Sequence, residues 1–518
     1  DGHSTNYNYD GNGSLSSARD ENLFTTHYEY DALNRLVRTL DPLLGESLMA
    51  FDGRNNLIRV TDPLGNQTHY QYDGLNNPVS ISSPDTGTTH NEFDSAGNRT
   101  STTDARAVRV EYRYDELNRL TEISYPDRSK DVTFTYDAGT YGKGRLTGMS
   151  DEAGTVSYEY DARGNLLAED RWIDGLQYLT KYVYDTADRL VQREYPSGRT
   201  ISFSLNSAGR ATSIQAGAQS LVSEVQYEPY GPIRSFIYGN GLEYSADFNL
   251  DHELIRLESG SGVNQDLEYG PAGSILRIND LSFTYDSLYR LQTSSGAFGA
   301  QQFEYDSNDN RLQFLDEQMV SSYTYEMNSN RLESAGKWAF THDSAGNRTT
   351  KLDPDGNGYL YRYGIHNRMT EAVRRKAGAD TLAGRYIHDG KGRRVVKNVS
   401  DTETHFIYDI AGQLIGEYSA SGNGEYREYV YLEGLPIAIL ARTTEEFTPP
   451  GMELILDDGE PGTLAIGNWR SKTSGEDFGP GYLFAAKSAN TSYRWTTKPP
   501  GDKYRVYARW VGKKNQSG

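Results

Sequence analysis

THYEYDALNRLVRTLDPLLG, residues 26–45, decides the architecture. His27, Glu29 and Asp31 alternate with Tyr28 and Tyr30, the period-two pattern of a strand with one aromatic face. Asp31 to Asn34 supply turn chemistry, because Asp caps its own backbone and Asn tolerates the left-handed conformation. Arg35 to Leu40 reads as the returning strand, and Asp41-Pro42 with Gly45 makes the next turn. One such unit is a β-hairpin plus a second turn that leads into the next hairpin.

The aromatic–Asp pair of this stretch, Tyr30-Asp31, belongs to a series. Tyr9-Asp10, Phe51-Asp52, Tyr72-Asp73, Phe93-Asp94 and Tyr114-Asp115 repeat it at intervals of 21 residues. The beat then loosens through Tyr136-Asp137, Tyr160-Asp161, Tyr184-Asp185, Phe248-Asn249, Tyr285-Asp286, Tyr305-Asp306 and Tyr408-Asp409. Leu205-Asn206, His342-Asp343 and His388-Asp389 are degenerate copies. The turn that follows is nearly fixed: residues 94–100 and 343–349 both read DSAGNRT, and 33–36 and 117–120 both read LNRL. A fixed period of this kind marks a repeat architecture, in which each unit buries its faces only against its neighbours. Tyr30, Asp31, Asn34, Arg35 and their counterparts Tyr114, Asp115, Asn118, Arg119 are therefore expected to be structural residues, a ladder of turns with each Arg across a neighbouring ring.

Composition narrows the class. The 518 residues hold 40 Tyr and 16 Phe, yet only 36% are hydrophobic, so the sheet is expected to be wetted over much of its area, with Tyr hydroxyls meeting water or a partner. A net charge of −20 argues against nucleic acid, and the absence of Cys removes disulfides, zinc-thiolate sites and thiol catalysis. No stretch of 18 apolar residues offers a membrane span. About twenty two-strand units exceed the ~10 strands at which open sheets curl or split. Accumulating twist is expected to coil such a ribbon into a hollow form with a polar lumen.

These units resemble the YD or Rhs repeats of bacterial Rhs proteins, insecticidal Tc toxin shell subunits and animal teneurins, over residues 1–440. The run from Tyr408-Asp409 through Gly412–Tyr418 and Glu428–Ala438 is similar to the approach to the Rhs core domain. The resemblance implies an all-β fold, hairpins wound into a hollow spiral β-shell that encloses a polypeptide or serves as an adhesive module. It implies a secreted or cell-surface bacterial protein, expected here to be incomplete at its N-terminus. The Asp-rich segment that the family associates with self-cleavage has no matching positions, which puts cargo release by autoproteolysis in doubt. Two other classes remain open: a polymorphic toxin packaging an effector outside this chain, and a surface adhesin.

Residues 441–452, containing Pro449-Pro450-Gly451, read as a linker. From 442 onward the chain carries 11 Lys+Arg against 9 Asp+Glu, a net of +2 against −22 for the rest. Runs at 453–456, 482–485, 493–496 and 504–510 predict a small β-sandwich over 453–518. Its pieces resemble the golvesin and xanthan-lyase carbohydrate-binding-like domain, truncated before the last strand. Three of the five Trp lie here. Trp495 and Trp510 sit in alternating strands as core candidates, while Trp469, near a predicted loop, and Tyr482 are the candidates for stacking on a glycan.

Catalytic, cofactor and metal sites find no complete motif. The segment Asp353–Gly358 copies half of an EF-hand loop, but Gly364 stands where a bidentate Glu is needed, and a repeat turn explains it. His252-Glu253 lacks its second His, since Arg256 occupies that position. No hydrolase or transferase activity, no cofactor and no metal is expected; the partners expected are an enclosed polypeptide and a cell-surface glycan.

Overall fold

The computed structural model describes residues 4–229, 231–260, 262–317 and 319–442, and beyond them only the backbone of 469–471, 483–485, 493–497 and 504–508. The chain is all-β. Forty-two strands, from Asn6–Tyr9 to Leu435–Arg442, belong to one sheet, and sequence neighbours pair antiparallel. The helical content among the described residues is one 3-10 turn, Arg128–Lys130. No described helix is long and apolar enough to cross a membrane.

One turn geometry recurs along the hairpins. In the turn after Tyr30, Asn34 N–H donates to the Asp31 carbonyl at 3.0 Å and Asp31 N–H to the Arg35 carbonyl at 3.0 Å. Asn34 adopts φ 58°, and the register slips between Glu29 and Tyr30 so that Tyr30 faces Leu36. This is a type I turn followed by one left-handed residue, the three-residue loop whose bulge matches strand twist. Asp31 fixes it: one carboxylate oxygen accepts from Leu33 N at 2.9 Å and Arg35 N at 3.0 Å. The left-handed position explains the Gly/Asn alternation in the motif, with Gly97 at φ 85° and Asn118 at φ 59°.

The second turn of this unit is the same device. After Leu40, Leu44 N–H donates to the Asp41 carbonyl at 3.0 Å, and the left-handed residue is Leu44 at φ 66°. The sequence pointed to Gly45 as the residue that makes this turn possible. Gly45 instead closes the loop, its N–H donating to Asp41 at 2.8 Å.

Contacts divide the chain into two units. In the first (1–111, 265–360 and 375–378), residues 4–111 hold no fully buried apolar side chain among those described. Their buried residues are Ser17, Ser80, Asn91 and Ser101. Within this unit the ribbon lies back on itself. Tyr289 donates to Asp20 at 2.5 Å, Asn308 to Asp62 at 2.5 Å, Ser329 to Asp85 at 2.7 Å and Ser344 to the Ala105 carbonyl at 2.7 Å. Both members of these pairs advance together along the chain, so the two stretches run in parallel. Second-turn residues of the early repeats thus meet dyad-turn residues of the later ones.

The second unit (112–264, 361–374 and 379–518) carries a true apolar core. Ile173, Ile201, Ile214, Val222, Ile415 and Val430 are wholly buried in one cluster. The same parallel return recurs: Gly390 N donates to Asp151, Tyr195 Oη to the Tyr429 carbonyl at 2.9 Å, and Arg210 pairs with Glu433 at 3.1 Å.

The sheet's last strand, Leu435–Arg442, carries its ladder into the span expected as linker, with Arg427 opposite Ala441 and Tyr426 opposite Arg442. Farther on, Trp469–Ser471 pairs with Leu483–Ala485, and Tyr493–Thr497 with Tyr504–Ala508. Trp469 opens a strand. Tyr482, the run at 453–456 and Trp510 lie outside the described residues.

Candidate functional site: the turn ladder and the buried charge seam

The residues singled out by the 21-residue beat form a chain of repeat-to-repeat clamps. Arg35 closes its own turn by donating to Asp31 at 2.7 Å. It then reaches the next dyad turn, donating to the Asp52 carbonyl at 2.9 Å and Asn55 at 3.1 Å. Its guanidinium stands 4.9 Å over the Phe51 ring. Arg119 does the same one unit at a time: 2.7 Å to Asp115, 2.6 Å to Asp137, and 4.4 Å over Tyr136. Tyr114 ends its strand directly before the Asp115 turn, and Asn118 supplies the left-handed residue. Arg210 over Tyr227, Arg290 over Tyr305 and Arg393 over Tyr408, at 3.5–5.0 Å, extend the pattern. The planar fork serves two acceptors and one ring at once, a task a Lys ammonium performs poorly.

These contacts set the local electrostatics. The Arg35 hydrogen bond holds Asp31 below the usual carboxylate range. Arg119 lowers Asp137 to about 2.

The dyad Tyr hydroxyls provide the second clamp, which the sequence did not reveal. Tyr72, Tyr136, Tyr160, Tyr227, Tyr305 and Tyr408 donate to the carbonyls of Leu57, Leu120, Leu146, Ala211, Leu291 and Arg394, all at 2.7–3.0 Å. Each acceptor is the first residue of the preceding return strand. The expectation that Tyr tips would meet water or a partner is corrected for these residues: their donors face inward along the ladder. The ring then packs, and the hydroxyl donates to a carbonyl at the bulge.

The second unit also buries charge. Arg171 makes a two-pronged pair with Asp151 at 2.8 and 3.0 Å, its side chain 7% exposed and that of Asp151 1%. Arg393 pairs with the buried Asp389 at 2.7 Å, and Arg193 with Asp409 at 3.1 Å. Glu169, on the strand Leu166–Ile173, sits among them with one carboxylate oxygen lacking a hydrogen-bond partner. Burial pushes its pKa up to about 7, against the opposing pull of Arg393, Lys391 and Arg171. Burial likewise lowers Lys391, which donates to Tyr158 at 3.2 Å. The three aspartates of this network, Asp151, Asp389 and Asp409, are each matched by an Arg.

Residues 51–88, 93–130 and 141–172 match the family described as RHS Repeat. These three stretches carry RHS repeats. Its fold is similar to that of a crystal structure of TcdB2-TccC3-Cdc42 (TM-score 0.70, 16% identity, 96% of this chain and 29% of that one). It is similar as well to the Photorhabdus luminescens Tc holotoxin pore carrying a TccC3 mutation (TM-score 0.65, 15% identity, 99% and 28%). A crystal structure of TcdB2-TccC3 gives a TM-score of 0.57 at 14% identity, with 97% and 32% covered. The chain thus spans under a third of the chains it matches, and at these identities the likeness is one of fold. No curated protein sequence matches it.

Proposed function

We propose that this chain is a non-enzymatic wall segment of a bacterial toxin-related shell, secreted or displayed at a cell surface, whose work is to enclose another polypeptide. The observation that carries the reading is the continuous antiparallel ribbon of RHS repeats, which shares its fold with Tc toxin assemblies over nearly its full length. The ladder supports it: Arg, Asp, Asn and Tyr, the residues that carry most chemistry elsewhere, are consumed here in turn closure and repeat-to-repeat clamps. A wall needs such redundancy, whereas a catalytic centre needs a few convergent groups left free.

The test is protease protection. A disordered reporter fused after Gly518 is expected to resist a protease that digests the free reporter, and to become cleavable once the sheet is denatured. Electron cryomicroscopy of the same protein is expected to show an enclosed space. Cleavage of the native fusion at the free-reporter rate overturns the enclosing role. A single-residue-dependent turnover in an activity screen overturns the non-enzymatic one.

Residues 453–518, set off by the linker at 441–452, are proposed as a separate β-sandwich that holds a glycan through Trp469 and Tyr482. The concentration of Trp and the reversal of charge in this stretch support that reading.

A further inference from the structure

Two hairpins of the second unit converge on a three-residue cluster that the ladder does not use. Asp174 lies in the two-residue turn Asp174-Gly175, φ 47° and 78°, between the strands Leu166–Ile173 and Leu176–Tyr184. Glu403 and His405 are alternate residues of Thr402–Tyr408, so their side chains leave the same face just after the turn Ser400-Asp401. The ligand atoms of Asp174, Glu403 and His405 all lie within 4.8 Å of one another.

The geometry points to a divalent transition-metal site, with Zn2+ as its ion, that clips these two hairpins together. His405 is fully buried, and its Nε2 faces Glu403 at 3.0 Å and Asp174 at 3.9 Å. Metal–ligand bonds of about 2.0–2.1 Å place tetrahedral donor atoms ~3.3 Å apart, which these separations bracket. The other ring nitrogen is already fixed: Nδ1 lies 2.9 Å from the Tyr178 hydroxyl, with the two rings edge to face at 5.6 Å. An outer partner of this kind holds a ligating imidazole in one orientation. Tyr178 is in turn held against Tyr418 at 5.0 Å, and Tyr418 donates to Glu428 at 2.7 Å.

The charge is also right. Neither Asp174 nor Glu403 has a Lys or Arg ion-pair partner among the described residues, unlike the matched acids of the neighbouring seam. Two carboxylates beside one imidazole nitrogen can hold a cation between them. An imidazole among the donors disfavours Ca2+ and Mg2+, which take oxygen. Asp174 is more than half exposed, which gives solvent access to a fourth position for water. The clip is structural: it ties a turn at 174 to a strand at 402–408, more than 220 residues on, along the seam where the ribbon returns.

Calorimetric titration of the full, chelator-treated chain with ZnCl2 tests it, with CaCl2 and MgCl2 as controls. One Zn2+ per chain is expected, with a rise in melting temperature, and Co2+ substitution is expected to give the visible absorption of a low-coordinate site with nitrogen and oxygen donors. Glu403→Gln and Asp174→Asn are each expected to weaken Zn2+ binding at least about tenfold, and Tyr178→Phe, a positioning change, by about 10–100-fold. Asp174 stands at an exposed turn where Asn keeps the left-handed backbone, so that variant reads out binding even where a Glu403 substitution perturbs folding. No Zn2+ uptake above the Ca2+ and Mg2+ controls overturns the proposal. So does uptake left unchanged by both Asp174→Asn and Glu403→Gln, because that metal sits elsewhere.

Discussion

Glu169→Gln is expected to stabilise the protein more at pH 8 than at pH 5. Glu169 is 5% exposed, and burial raises its pKa from 4.5 to about 7. Between those two values the folded chain holds a proton that the unfolded chain has released. Stability therefore falls as pH rises through that window, because the native state binds more protons. A shift of about 2.5 units at 1.36 kcal/mol per unit amounts to ~3 kcal/mol over the whole window, of which roughly 2–3 kcal/mol falls between pH 5 and 8. Gln keeps the shape and removes the ionisation. The difference in stability between variant and wild type should grow by that amount across the range, and the seam's other acids cancel because both proteins carry them. At about 2–4 °C per kcal/mol for a large domain, the melting-temperature difference should widen by roughly 5–10 °C. Thermal melts of both proteins at half-unit steps from pH 5 to 8 measure it. A difference that stays flat with pH refutes the reasoning, since it would mean that Glu169 is ionised throughout and fully matched by Arg171, Lys391 and Arg393.

Other substitutions probe the ladder and its seams. Leu44→Gly is expected to raise stability by about 1 kcal/mol in denaturant melts, because a branched residue at φ 66° is strained where glycine is not; a loss would show that the exposed Leu44 side chain matters more than its backbone. Asp31→Ala should cost about 1 kcal/mol or less, since it removes one turn closure among many, and a collapse of the whole sheet would contradict a distributed ladder. Tyr289→Asn restores the ordinary turn residue but removes the 2.5 Å bond to Asp20, so protease sensitivity near residues 15–25 should rise while the far-ultraviolet spectrum stays that of a sheet. Trp469→Ala should abolish polysaccharide binding by the completed terminal module on a glycan array; no binding by the wild type removes that assignment.

The repeat unit was legible because its rules are local. Asp31, the left-handed Asn34 and the returning Leu36 lie within six residues, so spacing alone announced strand, turn and strand. The Arg-over-ring contact was legible for the same reason, since Arg35 reaches only to the next beat at Phe51. The left-handed Leu44 was hidden because nothing in its residue type favours that conformation; the Asp41 closure imposes it. Nor did sequence show where ribbon meets ribbon, or that Asp174 and His405 would stand together. No local pattern encodes a contact across more than 220 residues.

Departures from the beat nonetheless mark those places. Where LNRL recurs at 33–36 and 117–120, residues 288–291 read LYRL, and Tyr289 keeps φ 61° despite its bulk. A ring in that conformation is strained, and what offsets the strain is the seam: its hydroxyl bonds Asp20, and its ring meets Phe24 edge on at 5.9 Å. The turn after Tyr325 shows the same trade, with one extra residue between Glu326 and Arg331. That insertion places Ser329 and the backbone N–H of Asn330 on Asp85, each at 2.7 Å. Conformity to the repeat thus builds the ribbon, and these two violations are each compensated by a contact that joins the ribbon to itself. A substitution that regularises Tyr289 or deletes the extra residue near Ser329 would improve the local turn while loosening the wall.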